Sequence, residues 1–320
     1  MSTVKEKSIW VSIEEDIQNS GLDEKSKKKL FNNLLNLKTK KINILITGAT
    51  GSGKSSTINA IFDTEVAKVG YGVDPETMDI QKYELDNLIL WDSPGLGDGK
   101  EADIRHSKNI INKLVEKDKE GKALIDLVLV ILDGSSRDLG TSYQLINEVI
   151  IPNLPEKERI LVAINQCDIA MKGKGWDNHG NVPEPVLNNF LDEKVDSVRR
   201  RIKEGTGVDI EPIYYSAEKF YNISKLFSFI VKHTPKEKRA VYIDNVNKDP
   251  NPWKSNDDIK DYNDEIKKSF MESIKDGMAD GADIGGDIGR IFGKTGETVG
   301  RIAGGVVGAI VGGIKGLFGW

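Results

Sequence analysis

The stretch INILITGATGSGKS, residues 42–55, decides the fold of this chain of 320 residues. INILIT is an apolar run of strand length, and the residues after it match the pattern GxxxxGK[ST] in full. In that pattern the glycines let successive backbone N–H groups point at phosphate oxygens, and the N-terminus of the following helix adds its positive dipole. The stretch therefore predicts a phosphate-binding loop between a buried strand and a helix.

The predicted loop assigns nucleotide contacts to its individual residues. The Lys54 ammonium is expected to bridge the β- and γ-phosphates, and the Ser55 hydroxyl is expected to coordinate Mg²⁺. The other residues predicted to contact the nucleotide are Gly48, Thr50, Gly51, Ser52, Gly53 and Ser56. A glycine turn that carries Lys-Ser by chance is the alternative, and the strand and helix patterns on either side argue against it.

Apolar runs of strand length alternate with helical segments from residue 41 onward, which is the pattern of a three-layer α/β fold. The runs LILWDS, LVLVILDG, ILVAIN and PIYYS are apolar enough to be buried on both faces, as central parallel strands are. IQKYEL alternates apolar and polar residues and is predicted to be an antiparallel edge strand. We therefore expect a mostly parallel, six-stranded sheet flanked by helices. The predicted helices span 54–62, 102–117, 141–150, 184–204 and 217–232.

Polar residues at the ends of the later strands point to one nucleotide. Asp92 ends LILWDS, where it can hold Mg²⁺ through water, and the N–H of Gly95 can reach the γ-phosphate. ILVAINQCD ends with Asn165 and Asp168, and the Asp168 carboxylate can accept from both N1–H and N2–H of guanine, which adenine does not offer. The order and strand-end placement of these motifs predict a GTP site.

The last predicted strand supplies one more contact with the base. In YYSAEK, Ser216 and Ala217 follow the strand, where a backbone N–H can reach the guanine O6. With this motif, all five guanine-nucleotide motifs are present within about residues 41–232. On these residues the chain resembles P-loop GTPases of the branch that contains Era, TrmE, EngA and the septins. GSSRDLGTSYQLIN and NQCDIAMKGKGWD are most similar to a group of Era-like bacterial GTPases that are often encoded by prophages.

The resemblance implies a Ras-like fold and hydrolysis of bound GTP to GDP and phosphate with Mg²⁺. Lys54, Thr77 and Gly95 would then be the residues closest to the chemistry. Thr77 is assigned as the hydroxyl that senses Mg²⁺ and the γ-phosphate, because it lies just before the edge strand as the threonine of this superfamily does. Thr64 is the alternative. Glycines at 70 and 72 would let this first switch segment become ordered with GTP.

The chain departs from the pattern of the superfamily at two positions. Gln166 stands where the base motif usually has a lysine, and its shorter amide is expected to weaken nucleotide affinity without changing specificity. Leu96 follows Gly95, where small signalling GTPases have a glutamine that orients water. Hydrolysis would then be completed by K⁺, by a residue from a partner subunit or by movement of a switch, and a slow GTP-binding scaffold is an alternative.

Composition predicts four segments. We expect an N-terminal helical extension at 1–40, a GTPase (G) domain at 41–234, a polar linker and amphipathic helix at 235–276, and a hydrophobic tail at 277–320. Fifteen of the 32 glycines lie in this tail, mostly four residues apart. Such spacing lets helices approach closely and predicts contact with membrane lipid or self-association. A flexible tail that folds onto the G domain is the alternative.

Composition also limits the location and the partners. The single cysteine, Cys167, and an N-terminus without an apolar signal sequence indicate a cytoplasmic protein, with the inner face of the membrane as a peripheral location. The net charge of −5 argues against broad nucleic-acid binding, so RNA or the ribosome is a less favoured partner. The three histidines stand apart from other ligand-type residues, and no metal site other than that for Mg²⁺ is predicted.

Overall fold

The computed structural model describes residues 9–62, 68–71, 80–249, 251–253 and 259–279. Three stretches that carry predictions lie outside the described residues, namely 63–67 with Thr64, 72–79 with Thr77, and the tail after residue 279. The strands are β1 Ile42–Gly48, β2 Lys68–Tyr71, β3 Gln81–Leu85, β4 Leu88–Asp92, β5 Leu127–Asp133, β6 Ile160–Asn165, β7 Trp176–Asp177, β8 Val182–Pro183 and β9 Ile213–Tyr214. The helices are α1 Ile9–Gln18, α2 Glu24–Thr39, α3 Lys54–Ile61, α4 Lys100–Val115, α5 Gly140–Gln144, α6 Ile151–Asn153, α7 Pro185–Thr206, α8 Ile223–His233 and α9 Ile259–Ala279.

The central sheet has the strand order β2-β3-β4-β1-β5-β6-β9. β1 lies in the middle, parallel to both β4 and β5, and all of its residues are buried. β3 pairs antiparallel with β4, as the alternating IQKYEL pattern predicts, but the prediction that it is the edge strand is wrong, because β2 pairs with its other side. The predicted α/β fold with a mostly parallel sheet is therefore confirmed. The sheet also has a seventh strand, β2, within the segment that was predicted to be a switch loop.

The order of the strands brings the polar residues at the strand ends together. In the pairing register Asp92 stands opposite Ile46 near the end of β1, and Asp133 stands opposite Asn165 at the ends of β5 and β6. Because these strands are parallel, their carboxyl ends lie along one edge of the sheet. The predicted phosphate and base motifs therefore meet at that edge.

Two helical segments differ from the predictions in detail. The helix predicted at 217–232 begins at Ile223, because residues 216–221 form a turn closed by a bridge between Ser216 and Tyr221. Asn222, which precedes the helix, has a positive φ of 56°. The helix predicted at 141–150 runs from α5 to α6 through a π-helical turn, Leu145–Ile150.

Residues outside the sheet region pack onto one face of the same core. Lys236–Asp244, within the predicted polar linker, form a 3-10 helix in which Tyr242 is fully buried against Phe227 of α8, with ring centroids 5.5 Å apart. α9 packs against this 3-10 helix and against α2, where the Asn33 Nδ2 donates to the Met278 carbonyl at 2.9 Å. The predicted domain boundaries stay predictions, but the terminal helices share one apolar cluster with the sheet.

In the part of the chain that the structure describes, every helix is too short or too polar to cross a bilayer. The amphipathic helix predicted from Ile266, Phe270 and Ile274 is present as α9, and all three side chains are buried.

Candidate functional site

The loop between β1 and α3 has the backbone conformation expected of a phosphate-binding loop. Gly51 and Gly53 have φ values of 80° and 85°, in the left-handed region that favours glycine. A Cβ on Gly53 would lie 2.2 Å from the Asn165 Nδ2, so that close approach requires glycine. α3 begins at Lys54, directly after this turn. The free N–H groups of its first turn therefore face the loop.

Lys54 lies folded into the loop. Its Nζ donates to the carbonyls of Gly48 at 3.3 Å and Ala49 at 3.1 Å. Burial lowers the pKa of Lys54, and the negative charges of Asp92 and Asp98 oppose that shift. Because neutral carbonyls are weaker acceptors for an ammonium than phosphate oxygens, the Lys54 ammonium can leave these two carbonyls and bind a phosphate group instead.

Ser55 and Asp92 provide the predicted Mg²⁺ ligands, and the structure brings them together. The Ser55 Oγ lies 3.5 Å from the Asp92 Oδ2. Among the described residues the buried Asp92 Oδ1 has no hydrogen-bond partner. Burial raises the pKa of Asp92 to about 6, and the nearby Lys54 opposes that rise. A buried carboxylate oxygen without a donor, beside a hydroxyl, suits a hard cation that prefers oxygen ligands. The residues present therefore fit Mg²⁺.

The raised pKa of Asp92 leads to a testable prediction about stability. The carboxyl group binds its proton more tightly in the folded chain, with a pKa of about 6, than in the unfolded chain, where an aspartate has its ordinary pKa of 3.8. The protein without nucleotide should therefore gain stability as the pH falls through 6 toward 4, since the folded state then takes up the extra proton. Asp92→Asn should raise the free energy of unfolding by about 1–3 kcal/mol near pH 7, and by little near pH 4. Urea denaturation at both pH values measures this difference.

Asp209 provides a matched control for that experiment. It is an exposed aspartate whose pKa is lowered by hydrogen bonds from Arg199 and Lys203, so its pKa shift is opposite in sign to that of Asp92. Asp209→Asn should therefore not stabilise the protein at either pH. Equal stability of Asp92→Asn and the wild type near neutral pH would contradict the burial argument.

Gly95 lies directly against the phosphate loop. A Cβ on Gly95 would come within 2.5 Å of the backbone nitrogen of Thr50. The Thr50 N–H donates to the Leu96 carbonyl at 3.0 Å, and the Leu96 N–H donates to the Gly48 carbonyl at 3.4 Å. The Leu96 side chain is 5% exposed and packs into the core between the sheet and α4. The residue that replaces the expected glutamine therefore has an apolar, inward-facing side chain.

Asn165 joins three of the predicted motifs. Its Nδ2 donates to the Ser52 carbonyl at 3.0 Å, and its Oδ1 accepts from the Ala217 N–H at 3.0 Å. The phosphate loop, the base motif and the Ser-Ala turn are thus tied together by one buried side chain. The Ala217 N–H, predicted to reach the guanine O6, donates to Asn165 in this structure, so contact with O6 would require that N–H to be shared.

Gln166 also contacts the phosphate loop. It has a positive φ of 60°, and its Nε2 donates to the Gly51 carbonyl at 2.8 Å. Its Oε1 lies 3.4 Å from the Ser135 hydroxyl. The amide that replaces the expected lysine therefore stabilises the loop from the side of the base. Its predicted effect on affinity stays a prediction.

The remaining predicted base residues are close to Asn165. Asp168 is 6% exposed and lies in the short 3-10 helix Cys167–Ile169 that follows β6. The Ser216 Oγ accepts from the Lys219 N–H at 3.1 Å. Burial raises the pKa of the Cys167 thiol, which keeps it protonated. The predictions for the site residues stay predictions, since all of them concern a bound nucleotide.

Sequence reasoning missed three side chains around the site. Tyr215, fully buried, shares a hydrogen bond of 2.6 Å with the Thr57 Oγ1 of α3. Lys194 of α7 donates to the Ser136 carbonyl at 2.7 Å and so holds the loop after β5. The His106 Nδ1 lies 3.0 Å from the Gly95 carbonyl. None of these belongs to a local motif, because each contact joins segments that are distant in the sequence or lie in different elements.

One protein-family model matches part of this chain. Residues 43–166 match the family model described as 50S ribosome-binding GTPase. Residues 43–166 are thus similar to the G domain of P-loop GTPases. The chain is similar to uncharacterized protein MJ0920 of Methanocaldococcus jannaschii, with 26% identity over 210 residues, which cover 62% of this chain and 98% of that protein. It is also similar to translocase of chloroplast 125 of Physcomitrium patens, with 37% identity over 103 residues. That match covers 30% of this chain and 9% of the translocase.

The chain is also similar to solved structures of other proteins. The G domain of the T. maritima FeoB iron transporter has 19% identity and a TM-score of 0.38, and the match covers 60% of this chain and 98% of that one. Toc33 of Arabidopsis thaliana, in complex with Mg²⁺ and GMPPNP, has 17% identity and a TM-score of 0.37. That match covers 65% of this chain and 82% of Toc33.

Proposed function

We propose that this chain binds GTP, hydrolyses it to GDP and phosphate, and acts as a switch. The bridge that Asn165 makes between Ser52 and Ala217 is the observation that carries the proposal. That bridge joins the phosphate loop to the base motifs at one edge of the sheet, which supports the binding of a guanine nucleotide there. The match of residues 43–166 to a GTPase family supports the same function.

Different residues of the site would contact the phosphates and the base. The Lys54 ammonium and the N–H groups at the start of α3 would bind the phosphates, and Asp168 would accept from guanine. Ser55 and Asp92 would hold Mg²⁺, with Thr77 as the predicted third ligand. When bound, Mg²⁺ neutralises the negative charge of the phosphate oxygens. Gly95, already against Thr50, would offer its N–H to the γ-phosphate.

Hydrolysis without a switch glutamine needs another group. Because the Leu96 side chain is buried, it does not orient a water molecule. We propose that the basal reaction is slow and that K⁺, a residue from a partner or switch movement accelerates it. Single-turnover hydrolysis of GTP with Mg²⁺ is expected to be faster in KCl than in an equal concentration of NaCl. Phosphate release that is absent under both conditions, with GTP still bound, would instead identify a GTP-binding scaffold.

The tail is proposed to contact membrane lipid or other copies of the chain. The proposal rests on its sequence, in which glycines recur mostly every fourth residue from Gly281 to Gly316. A helix from residue 302 to 320 would be about 28 Å long, close to the hydrocarbon thickness of a bilayer. Eight glycines between residues 300 and 319 oppose a lone helix in water by roughly 6–8 kcal/mol relative to alanine. Membrane insertion or self-association would offset that cost.

The structure shows where the tail can be removed. α9 extends to Ala279, and Met278 is 1% exposed and bonded through its carbonyl to Asn33. A version that ends at Ala279 therefore keeps the packing of α9 on α2. We expect the full chain to float with liposomes or to form oligomers, and the shortened version to remain monomeric and to bind GTP with unchanged affinity. Two versions that both behave as monomers without lipid binding would refute the proposal for the tail.

Ribosome association is the second candidate role, and we favour it less. The description of the matched family as 50S ribosome-binding GTPase supports it. The net charge of −5 argues against it. Cosedimentation with purified 50S subunits, compared in GDP and in a GTP analogue, tests this role.

We place the protein in the cytoplasm, with a peripheral membrane location if the tail binds lipid. We also place its G domain in the Era-like branch.

A further inference from the structure

Two side chains on α4 hold the loop that follows β4. The Asp103 Oδ1 accepts from the Gly97 N–H at 2.8 Å, and the His106 Nδ1 lies 3.0 Å from the Gly95 carbonyl. Asp103 and His106 are three residues apart, so they lie on the same face of the helix. One turn of α4 therefore binds the loop at two nearby peptide groups, once as acceptor and once as donor.

The His106 contact determines which ring nitrogen carries hydrogen. A carbonyl oxygen only accepts, so the Nδ1 must carry the proton that is donated to Gly95. The Nε2 is then able to accept from the Arg105 Nη2, which lies 3.4 Å away. The His106 side chain is 5% exposed and is enclosed by the protein. This histidine is therefore a fixed donor rather than a mobile surface group.

The peptide group between Gly95 and Leu96 is bound on both sides. Its carbonyl accepts from His106 of α4, and its N–H donates to the Gly48 carbonyl of the phosphate loop at 3.4 Å. The next carbonyl, that of Leu96, accepts from the Thr50 N–H at 3.0 Å. The backbone of Gly95 is thus placed between α4 and the phosphate loop. Its own N–H is the group expected to meet a γ-phosphate.

We propose that His106 is a positioning residue that holds Gly95 in place for the γ-phosphate and couples that contact to α4. The inference rests on the proposed function, since it concerns recognition of GTP. GDP has no γ-phosphate and gains nothing from a preorganised Gly95 N–H. Loss of the His106 hydrogen bond should therefore weaken the binding of a GTP analogue and leave GDP binding almost unchanged.

The side chains of asparagine and glutamine make the test specific. An asparagine places its amide nitrogen where the Nδ1 of His106 lies, whereas a glutamine places it nearer to the position of the Nε2. His106→Asn should therefore keep the donor to Gly95, and His106→Gln should lose it. His106→Leu removes the donor altogether and keeps an apolar side chain in the enclosed space. His179, which is exposed, provides the control His179→Leu.

Isothermal titration calorimetry with GDP and GMPPNP, both with Mg²⁺, measures the effect on the full chain. We expect His106→Leu and His106→Gln to bind GMPPNP about tenfold more weakly, since a carbonyl loses its donor, and to bind GDP within about twofold of the wild type. His106→Asn and His179→Leu should match the wild type for both nucleotides. If the leucine variant does not fold, the comparison of the asparagine and glutamine variants decides the question.

Two results would overturn the inference. The first is an unchanged ratio of GMPPNP to GDP affinity in His106→Gln, including an equal loss of both affinities, and the second is a failure of His106→Asn to keep the wild-type ratio. A wild-type chain that binds neither nucleotide would instead refute the proposed function itself.

Discussion

Lys54→Ala is expected to abolish measurable binding of both GTP and GDP. The ammonium is the charged donor that the phosphate loop places at its centre, between the carbonyls of Gly48 and Ala49. Charge-assisted hydrogen bonds to phosphate are about twice as strong as those between neutral groups, and alanine leaves the phosphates without this counter-charge. Equilibrium binding of a fluorescent GDP analogue and of GTP, followed by phosphate release, measures the effect.

The fold should survive this change. Burial lowers the pKa of Lys54, so keeping the ammonium in the loop costs free energy, and alanine removes that cost along with the attraction to Asp92. We expect the thermal midpoint of the variant without nucleotide to equal or exceed that of the wild type. Lys29→Ala, which removes an exposed lysine of α2, is the control and should bind nucleotide normally. Unchanged GTP turnover in the Lys54 variant would refute the assignment of the phosphate site.

Asp168→Asn is expected to change the base preference from guanine toward xanthine. The Asp168 carboxylate would accept from N1–H and N2–H of guanine, whereas an asparagine amide presents an N–H that can donate to the O2 of xanthine. A site built for hydrogen bonds rejects a base that leaves its buried groups unpaired, so GTP affinity should fall by at least about a hundredfold. Competition of GTP, XTP and ATP against a fluorescent nucleotide measures the ranking.

The structure suggests that this substitution is local. Asp168 lies on a short 3-10 helix next to Asn165, whose own side chain makes the bridge to Ser52. The bridge does not involve Asp168, so the phosphate loop should keep its shape. Asp192→Asn, on the exposed face of α7, is the control. If the Asp168 variant ranked the three nucleotides as the wild type does, Asp168 would not be the residue that reads the base.

The sequence alone was sufficient for the strand-loop-helix unit at residues 42–61 and for the positions of the later strands along the chain. These features depend on local patterns, namely apolar runs of strand length and glycines at positions that need a positive φ. Gly51 and Gly53 have that conformation. The placement of Asp92 beside Ser55 also follows from the sequence, because β1 and β4 are parallel and their carboxyl ends meet.

Other features depended on tertiary structure, because their partners are distant in the chain. The sequence of residues 236–244 predicts a polar linker, but the segment forms a 3-10 helix. Its Tyr242 is buried because Phe62 and Phe227 pack against the ring. Strand β2 lies in a segment without a strand pattern and is hydrogen-bonded to β3.

The sequence therefore determined which residues form the phosphate loop and which polar residues end the strands, since both depend on neighbours along the chain. Only the tertiary structure decided that Asn165 joins the phosphate loop to Ala217 and that His106 holds Gly95. The physical reason is that a hydrogen bond depends on distance and direction in space. A buried asparagine or histidine has no periodic pattern that names its partner before the chain has folded.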